Sequence, residues 1–336
     1  MDLSTGLARV KLRVLITGGS GFIGTNLVSH FTSLGFEVCN FDIVSPRNPM
    51  HIAYWRPGDL LDYDQLRSLI RDFDPEVIFH MAARTDLDGG SIEDYAANTM
   101  GVKNLIAAVD GLTSLRRMIF ASSRLVCRIG YAPKDELDYC PSTPYGESKV
   151  LGEKVVRDAI LRLPCPALIV RPTSIWGPWF DVPYKTFFLT ISRGQYFHPG
   201  SARVFKSFGF IGNTIQQLER LMVAPVDAIY GKTFYLADYP PIEVTMMANS
   251  IQQTLGLSPI KTVPISILRL AARVGDGFKI LGWKNPPLTS FRLNNLLTPM
   301  LHELEPLQVI AGTLPFSMER GVEITLDWLK AQGDIS

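Results

Sequence analysis

Val14-Leu15-Ile16-Thr17-Gly18-Gly19-Ser20-Gly21-Phe22-Ile23-Gly24 is the stretch whose reading decides the fold. The run from Leu12 to Ile16 is apolar on both faces, as a short strand buried in a parallel sheet is. Glycines then crowd a turn, and Phe22, Ile23, Leu27, Val28 and Phe31 recur at helical spacing. Strand, glycine turn and helix in that order are the context that a dinucleotide-binding loop requires. Two registers overlap, Gly19-x-Gly21-x-x-Gly24 and Gly18-x-x-Gly21-x-x-Gly24. Such a turn needs backbone conformations open to glycine, and a Cβ in it collides with a pyrophosphate. The N–H groups at the helix start hold that anion. A glycine-rich turn with no ligand carries the same letters, so the context decides.

The next apolar stretch, Phe36 to Phe41, ends in Asp42, eighteen positions after Gly24. An acid at the end of the second strand is placed to accept hydrogen bonds from both ribose hydroxyls. It repels the extra phosphate of NADP, so the expected cofactor is NAD, with Arg47 close enough in sequence to keep NADP open.

The chain has 336 residues, 46% of them hydrophobic, which is enough for one large domain or two modest ones with a substantial core. A net charge of +1 argues against a nucleic-acid or acidic-membrane footprint. Cys39, Cys127, Cys140 and Cys165 show no metal or redox spacing, three of them in strand-like or near-strand segments read as reduced packing residues, and no metal site is expected. Met1 to Lys11 lacks the apolar core of a signal peptide, and no apolar run is long enough to cross a bilayer. A soluble cytoplasmic protein with no membrane partner is the expectation.

Further strands are expected at Ile52 to Arg56, Val77 to His80, Arg117 to Ala121 and Ala167 to Val170. Helices are expected from Leu66, from Tyr95 to Val109 and from Pro144. This alternation predicts an α/β fold, a Rossmann-type doubly wound parallel sheet whose strand C-termini share one rim. Residues 172–202, rich in proline, glycine and aromatics, read as loops. A strand edge and helix are expected over Phe208 to Met222, a strand at Thr233 to Ala237, and helices near Thr245–Leu255, Ile265–Leu281, Leu288–Leu297 and Ser317–Gln332. The division expected is a nucleotide-binding domain over 1–173, to which 203–237 returns. A smaller, mostly helical substrate lobe is expected over 174–202 and 238–336. Leu268, Leu270, Ala271, Val274 and Phe278 form an apolar stripe, expected to face the core rather than a membrane surface.

Tyr145-Gly146-Glu147-Ser148-Lys149 carries the sharpest chemical signal. On a helix, residues four apart share a face, so Tyr145 and Lys149 point together. A phenol with a reference pKa of about 10 is a poor base at neutral pH. A nearby ammonium and an oxidised nicotinamide favour the phenolate and lower that value. Tyr-x-x-x-Lys alone is common on helix surfaces, but Ser123 ends a strand at the rim where a nicotinamide would lie. Its hydroxyl can bridge the phenol and a substrate oxygen.

These motifs, with His80-Met81-Ala82-Ala83, Asn98, Gly101 and Asn104, Ser122-Ser123 and Arg171-Pro172-Thr173-Ser174-Ile175-Trp176-Gly177-Pro178, follow a familiar order. The sequence resembles the extended short-chain dehydrogenases/reductases, and more narrowly their NAD-dependent epimerase/dehydratase branch, which mostly acts on nucleotide-activated sugars. The resemblance is dense over residues 12–178 and thin beyond. It implies Ser123, Tyr145 and Lys149 as the catalytic trio. The cofactor contacts it implies are Gly18, Gly21, Phe22, Ile23 and Gly24 in the loop, then Asp42, Asp59 and Leu60, then Ala82, Ala83, Tyr145, Lys149 and Pro172. Asp59 and Leu60 would lie against adenine, and Asn98 would support the helix or a water. Ser174 stands where the family usually has an asparagine on the substrate diphosphate. Lys206 stands where it usually has an arginine, and Arg292 is a second candidate phosphate contact. A homodimer is implied through the helices around Tyr95 to Val109 and Pro144 to Leu161.

Two departures narrow the chemistry. The family's dehydratases carry an Asp-Glu pair after the catalytic Ser/Thr, because elimination needs its own acid and base. This chain has Arg124-Leu125 there, which disfavours dehydration. Arg124, or Arg84 after the fourth strand, is a candidate partner for an acidic group on the substrate, such as a uronate. The expected function is an NAD-dependent nucleotide-sugar epimerase or oxidoreductase acting through a keto sugar. The alternatives are a hydroxysteroid or small-alcohol dehydrogenase of the same family, and a non-catalytic NAD-binding sensor.

Overall fold

β1 (Arg13–Thr17) is buried from Val14 onward and feeds, through the glycine turn, into α1 (Phe22–Ser33), whose Leu27, Val28 and Phe31 are fully buried. The structure, a computed structural model, describes residues 11–181, 183–201, 203–283 and 288–335. The expectation about Met1 to Lys11 falls almost wholly outside the described residues, as do residues 202 and 336 at the expected domain limits.

The remaining elements of the nucleotide-binding part are β2 (Glu37–Asp42), β3 (Trp55–Pro57), α2 (Tyr63–Phe73), β4 (Val77–His80), α3 (Ala96–Ala108), β5 (Arg117–Ala121), α4 (Pro144–Ala159) and β6 (Ala167–Pro172). With Thr233–Leu236 they form a seven-stranded sheet in the order Thr233–Leu236, β6, β5, β4, β1, β2, β3. The pairings β3–β2–β1–β4–β5–β6 are all parallel, with Val14 opposite both Val38 and Val77. The chain thus starts at the middle and winds first one way, then the other. Parallel order puts the C-terminal ends of β1 and β4 side by side at the reversal, where such sheets bind ligands. One face of the sheet buries Leu15, Phe41, Ile78, Met118 and Ile169 against Leu66 and Ile70 of α2 and Leu105 of α3. On α1, Phe31 stacks on Phe36 at 5.5 Å and tilts over Phe79 at 5.1 Å. Each such side chain contributes about 1.5–3 kcal/mol by its burial.

Helix starts follow their capping letters. Asp62 accepts from the N–H of Gln65 at α2, Thr143 from that of Gly146 at α4, and Ser317 from that of Arg320 at Met318–Ala331. Ile52 to Arg56 is not one strand. Pro49–Tyr54 is a tight turn, because Asn48 accepts from the N–H of Met50 and Pro49 presets the backbone; only Trp55–Pro57 joins the sheet.

The chain divides into two compact units, Met1–Val126 with Pro141–Arg171 and Gln217–Phe234, and Cys127–Cys140 with Pro172–Gln216 and Tyr235–Ser336. In the second unit, residues 172–202 are not merely loops. Ser174–Trp176 is a strand parallel to Phe208–Phe210, and Tyr184–Ser192 is a helix. The aromatics that suggest irregular structure are core instead: Trp176 lies 5.1 Å from Phe210 and 5.6 Å from Phe188, all buried. Asp238 accepts from the N–H of Phe210 and from the amide of Asn213, fixing the strand-to-helix corner. Helices cover Val244–Thr254, Ile265–Ile280, Ser290–Leu297 and Met318–Ala331, with a further one at Glu305–Ala311. The apolar stripe on Ile265–Ile280 does not face the core: Leu270, Val274 and Phe278 are exposed, and the buried positions are the small Ala272 and Gly275. No helix among the described residues is long and apolar enough to cross a membrane. All four cysteines are free thiols, with Cys39, Cys127 and Cys165 buried.

Candidate active site

The glycine turn owes its letters to two causes. Gly18 sits at φ +75°, and a Cβ there lies 2.5 Å from the backbone of Ala82, just beyond β4. A Cβ on Gly24 lies 2.1 Å from the carbonyl of Gly18. These two glycines are required by the protein's own close packing. At Gly21 a Cβ meets only the Gly18 carbonyl, at 3.2 Å, so this is the position where a side chain would fill open space in the cradle. Gly21 caps α1 with no side-chain hydrogen bond, so no side chain of the cap competes with a ligand's anion at the helix start. Asp42 is aimed by its own neighbours: one carboxylate oxygen accepts from the N–H of Ser20 at 3.0 Å, the other from that of Val44 at 3.1 Å. Burial raises its pKa, while those N–H groups and the Arg47 charge pull it back. Open cradle, uncapped helix start and oriented acid together fit the diphosphate and ribose of NAD.

The other contacts implied around the cofactor divide. One oxygen of Asp59 accepts from the N–H of Leu61, while Leu60 is buried in the core and gives its carbonyl to Asn104. Leu60 therefore offers backbone rather than side chain. Ala82 lies against Gly18, with Ala83 following it. Pro172 ends β6 at the start of the second unit.

The catalytic side is assembled by close approach. A Cβ on Gly146 lies 2.4 Å from the carbonyl of Leu125, so glycine lets the start of α4 sit directly on the turn after β5. That brings Tyr145 near Ser123, whose hydroxyl favours the phenolate. The Ser123 oxygen accepts from the N–H of Leu125 at 3.1 Å, which leaves its own proton to be donated. Tyr145 is buried, with its ring 5.9 Å from Tyr95. Burial pushes the phenol up to about 12; the Ser123 hydrogen bond and the Arg124 charge act in the opposite direction.

Lys149 donates to the carbonyl of Ala121 at 3.0 Å and is buried. Burial brings it down to about 8, opposed by the charge of Glu153. His80, hydrogen-bonded through Nδ1 to Thr17 at 2.7 Å, is pushed down to about 3 by burial and by Lys149, so its ring is neutral. Asn98 clamps the chain after β4, accepting from the N–H of Arg84 and donating to its carbonyl, and donates to Ser148 at 2.9 Å. A small cavity beneath Lys149 is lined by His80, Asn98, Ser122 and Glu153.

Glu153 and Arg171 were not singled out as site residues by the sequence. They form a fully buried ion pair with two 2.8 Å contacts, on the wall shared with Lys149. The available signal is spacing: Glu153 follows Lys149 by four residues and therefore lies on the same helix face.

The candidate substrate residues fare differently. Arg84 is half-exposed, ion-paired to Asp86 at 2.8 Å and lying over the Tyr95 ring. Arg124 has no carboxylate partner among the described residues, and its charge reaches Tyr145. In the second unit, Ser174 is buried, accepts the Tyr184 hydroxyl and lies 3.8 Å from the Met300 sulfur. Lys206 is buried and donates to the carbonyl of Asn295 at 2.7 Å. Arg292 is exposed on Ser290–Leu297.

Residues 14–193 match the model of the NAD dependent epimerase/dehydratase family, and the chain belongs to that family. It is accordingly an enzyme of a class whose cofactor is NAD. It is 23% identical over 320 residues, 94% of each chain, to N-acetyl-alpha-D-glucosaminyl-diphospho-ditrans,octacis-undecaprenol 4-epimerase of Escherichia coli O157:H7. It is 28% identical over 260 residues, 73% of this chain and 70% of the other, to a 3-beta-hydroxysteroid dehydrogenase of Mycolicibacterium neoaurum. In fold it is similar to UDP-glucuronic acid 4-epimerase from Bacillus cereus, with a TM-score of 0.72 at 17% identity over 96% of this chain and all of that one.

Proposed function

We propose that this chain is an NAD-dependent nucleotide-sugar epimerase or oxidoreductase working through a keto-sugar intermediate. The observation that carries the reading is the buried Tyr145 phenol, which Ser123 and Arg124 both draw towards the phenolate, with Lys149 held at the end of the same strand. NAD, when bound, supplies the hydride acceptor and a positive ring that favours the phenolate. Tyr145 takes the proton of a substrate hydroxyl. Ser123 donates to the oxygen that loses it, and Arg124 holds the phenol below the value that burial alone would impose. Lys149, fixed to the Ala121 carbonyl, binds the nicotinamide ribose.

In an epimerase the keto sugar turns over and is reduced on its other face; in a dehydrogenase it leaves. The epimerases among the relatives and fold neighbours support a sugar substrate, and Arg124 supports one bearing an acidic group. Ser174, Lys206 and Arg292 are retained as substrate-side candidates, the first two acting through the strand and main chain that they anchor. We assign the substrate lobe to the second unit, a homodimer to α3 and α4, and the cytoplasm as compartment.

The test is an assay of the purified protein with NAD and a panel of neutral and acidic nucleotide sugars, following NADH absorbance and product stereochemistry by NMR. A new stereoisomer without net NADH establishes epimerisation, and NADH with a keto product establishes a dehydrogenase. Silence across the panel with NAD still bound counts against the sugar reading. A second reading, a hydroxysteroid or other lipophilic-alcohol dehydrogenase, is favoured by one observation, the outward apolar face of Ile265–Ile280.

A further inference from the structure

The helix Ile265–Ile280 turns its apolar side outward. Ile267, Leu270, Val274 and Phe278 are each between 45% and 65% exposed, and Leu281 just beyond them is 82% exposed. At about 100° per residue, their spacing of three, four, four and three places all five within an arc of roughly 100°. Trp283, also exposed, sets its ring edge-on to Phe278 at 5.7 Å, and exposed Phe291 opens the following helix. Single exposed apolar side chains are ordinary on a protein surface; a continuous aromatic-ended stripe marks an interaction site.

The charge around the stripe is one-sided. From Gly256 to Leu297 the sequence carries six lysines or arginines and a single acid, Asp276, against a net charge of +1 for the whole chain. Arg269 and Arg273 are exposed, Arg273 roughly 60° and Arg269 roughly 100° around the helix from the edge of the stripe. A second copy meeting this face about a twofold axis sets the same cations against one another. An anionic bilayer neutralises them.

We propose that Ile265–Ile280 docks the protein onto an anionic lipid bilayer, lying in the plane of the interface. Ile267, Leu270, Val274, Phe278 and Leu281 enter the acyl boundary. Arg269 and Arg273 run their stems along it and leave their charges among the headgroups. Trp283 sits at headgroup depth, where amphipathic rings collect. The helix lies on the membrane rather than crossing it, in keeping with its length and charge.

Vesicle flotation of the full chain tests this, using phosphatidylcholine vesicles with and without phosphatidylglycerol. The wild type is expected to float with the anionic vesicles and to be released as salt is raised. The double variants Leu270→Glu/Val274→Glu and Arg269→Glu/Arg273→Glu are each expected to lower the bound fraction about tenfold or more. Far-UV circular dichroism and NAD affinity should stay at wild-type values; if the first variant does not fold, the second decides. A wild type that floats with neither vesicle overturns the proposal, as do variants that float like the wild type. Light scattering that finds a wild-type dimer split by Leu270→Glu/Val274→Glu, with no flotation, assigns the face to a second copy and overturns it too.

Discussion

Lys149 in the first unit and Asp238 in the second are both buried titratable groups, and burial moves them in opposite directions. The ammonium falls to about 8 and the carboxyl climbs to about 7, since each prefers to be neutral away from water. What faces them differs. Lys149 sees Glu153, the Ala121 carbonyl, neutral His80 and a cavity. Asp238 sees two donors that fix a corner of the fold. The same physical force acts on both groups, but Lys149 borders a cavity and Asp238 fixes a corner of the fold.

The largest effect that would break this contrast is on turnover. Tyr145→Phe removes the proton acceptor and should lower kcat by about 10²–10⁴-fold while NAD affinity, read by fluorescence titration, holds. Full activity in that variant would remove Tyr145 from the mechanism. Next comes Glu153→Gln, which leaves the Arg171 guanidinium buried without its charge partner and should cost on the order of 3–5 kcal/mol in urea unfolding. A loss below about 1 kcal/mol would place the pair with weak surface bridges.

Arg124→Ala should raise the KM of acidic nucleotide sugars by roughly 10–100-fold and leave neutral ones unchanged. It should also move the acidic limb of the kcat profile to higher pH, because a charge that lowers the pKa of the base Tyr145 is gone. An equal change for neutral and acidic sugars would leave Arg124 no role in recognition.

The smallest effect is in the pH dependence of stability. Lys149, ordinarily at 10.5 and here near 8, binds fewer protons folded than unfolded, so its contribution rises with pH across that window. Asp238, ordinarily at 3.8 and here near 7, binds more protons folded, so its contribution is present below 3.8 and falls as pH rises towards 7. Thermal melts of Asp238→Asn should lose the second slope and keep the first. A melt profile unchanged by the substitution would mean that Asp238 does not titrate in that range.

Much of the first unit was legible in the sequence because its signals are local. Strand limits at Val77–His80 and Arg117–Ala121 coincide with their apolar runs. Residues 172–202 misled because aromatic and proline content marks loops only on average. Trp176 and Phe188 found a core to enter, and the segment took regular structure. The stripe at Leu270, Val274 and Phe278 misled for the converse reason: amphipathic spacing says that a face exists, not what covers it.

Periodicity and the glycine loop, which act over a few residues, by themselves determined the doubly wound sheet and the expectation of NAD. Relations between distant segments were decided only by the tertiary structure. Gly18 is a glycine as much for Ala82 as for a pyrophosphate, and Gly146 for Leu125. Arg84 belongs to Asp86, while Arg124 stands beside Tyr145. Ser174 and Lys206 are tied within the second unit by Tyr184 and Asn295. Burial and charge partnership depend on which atoms meet across the folded chain, and that distance is not written in the spacing of letters.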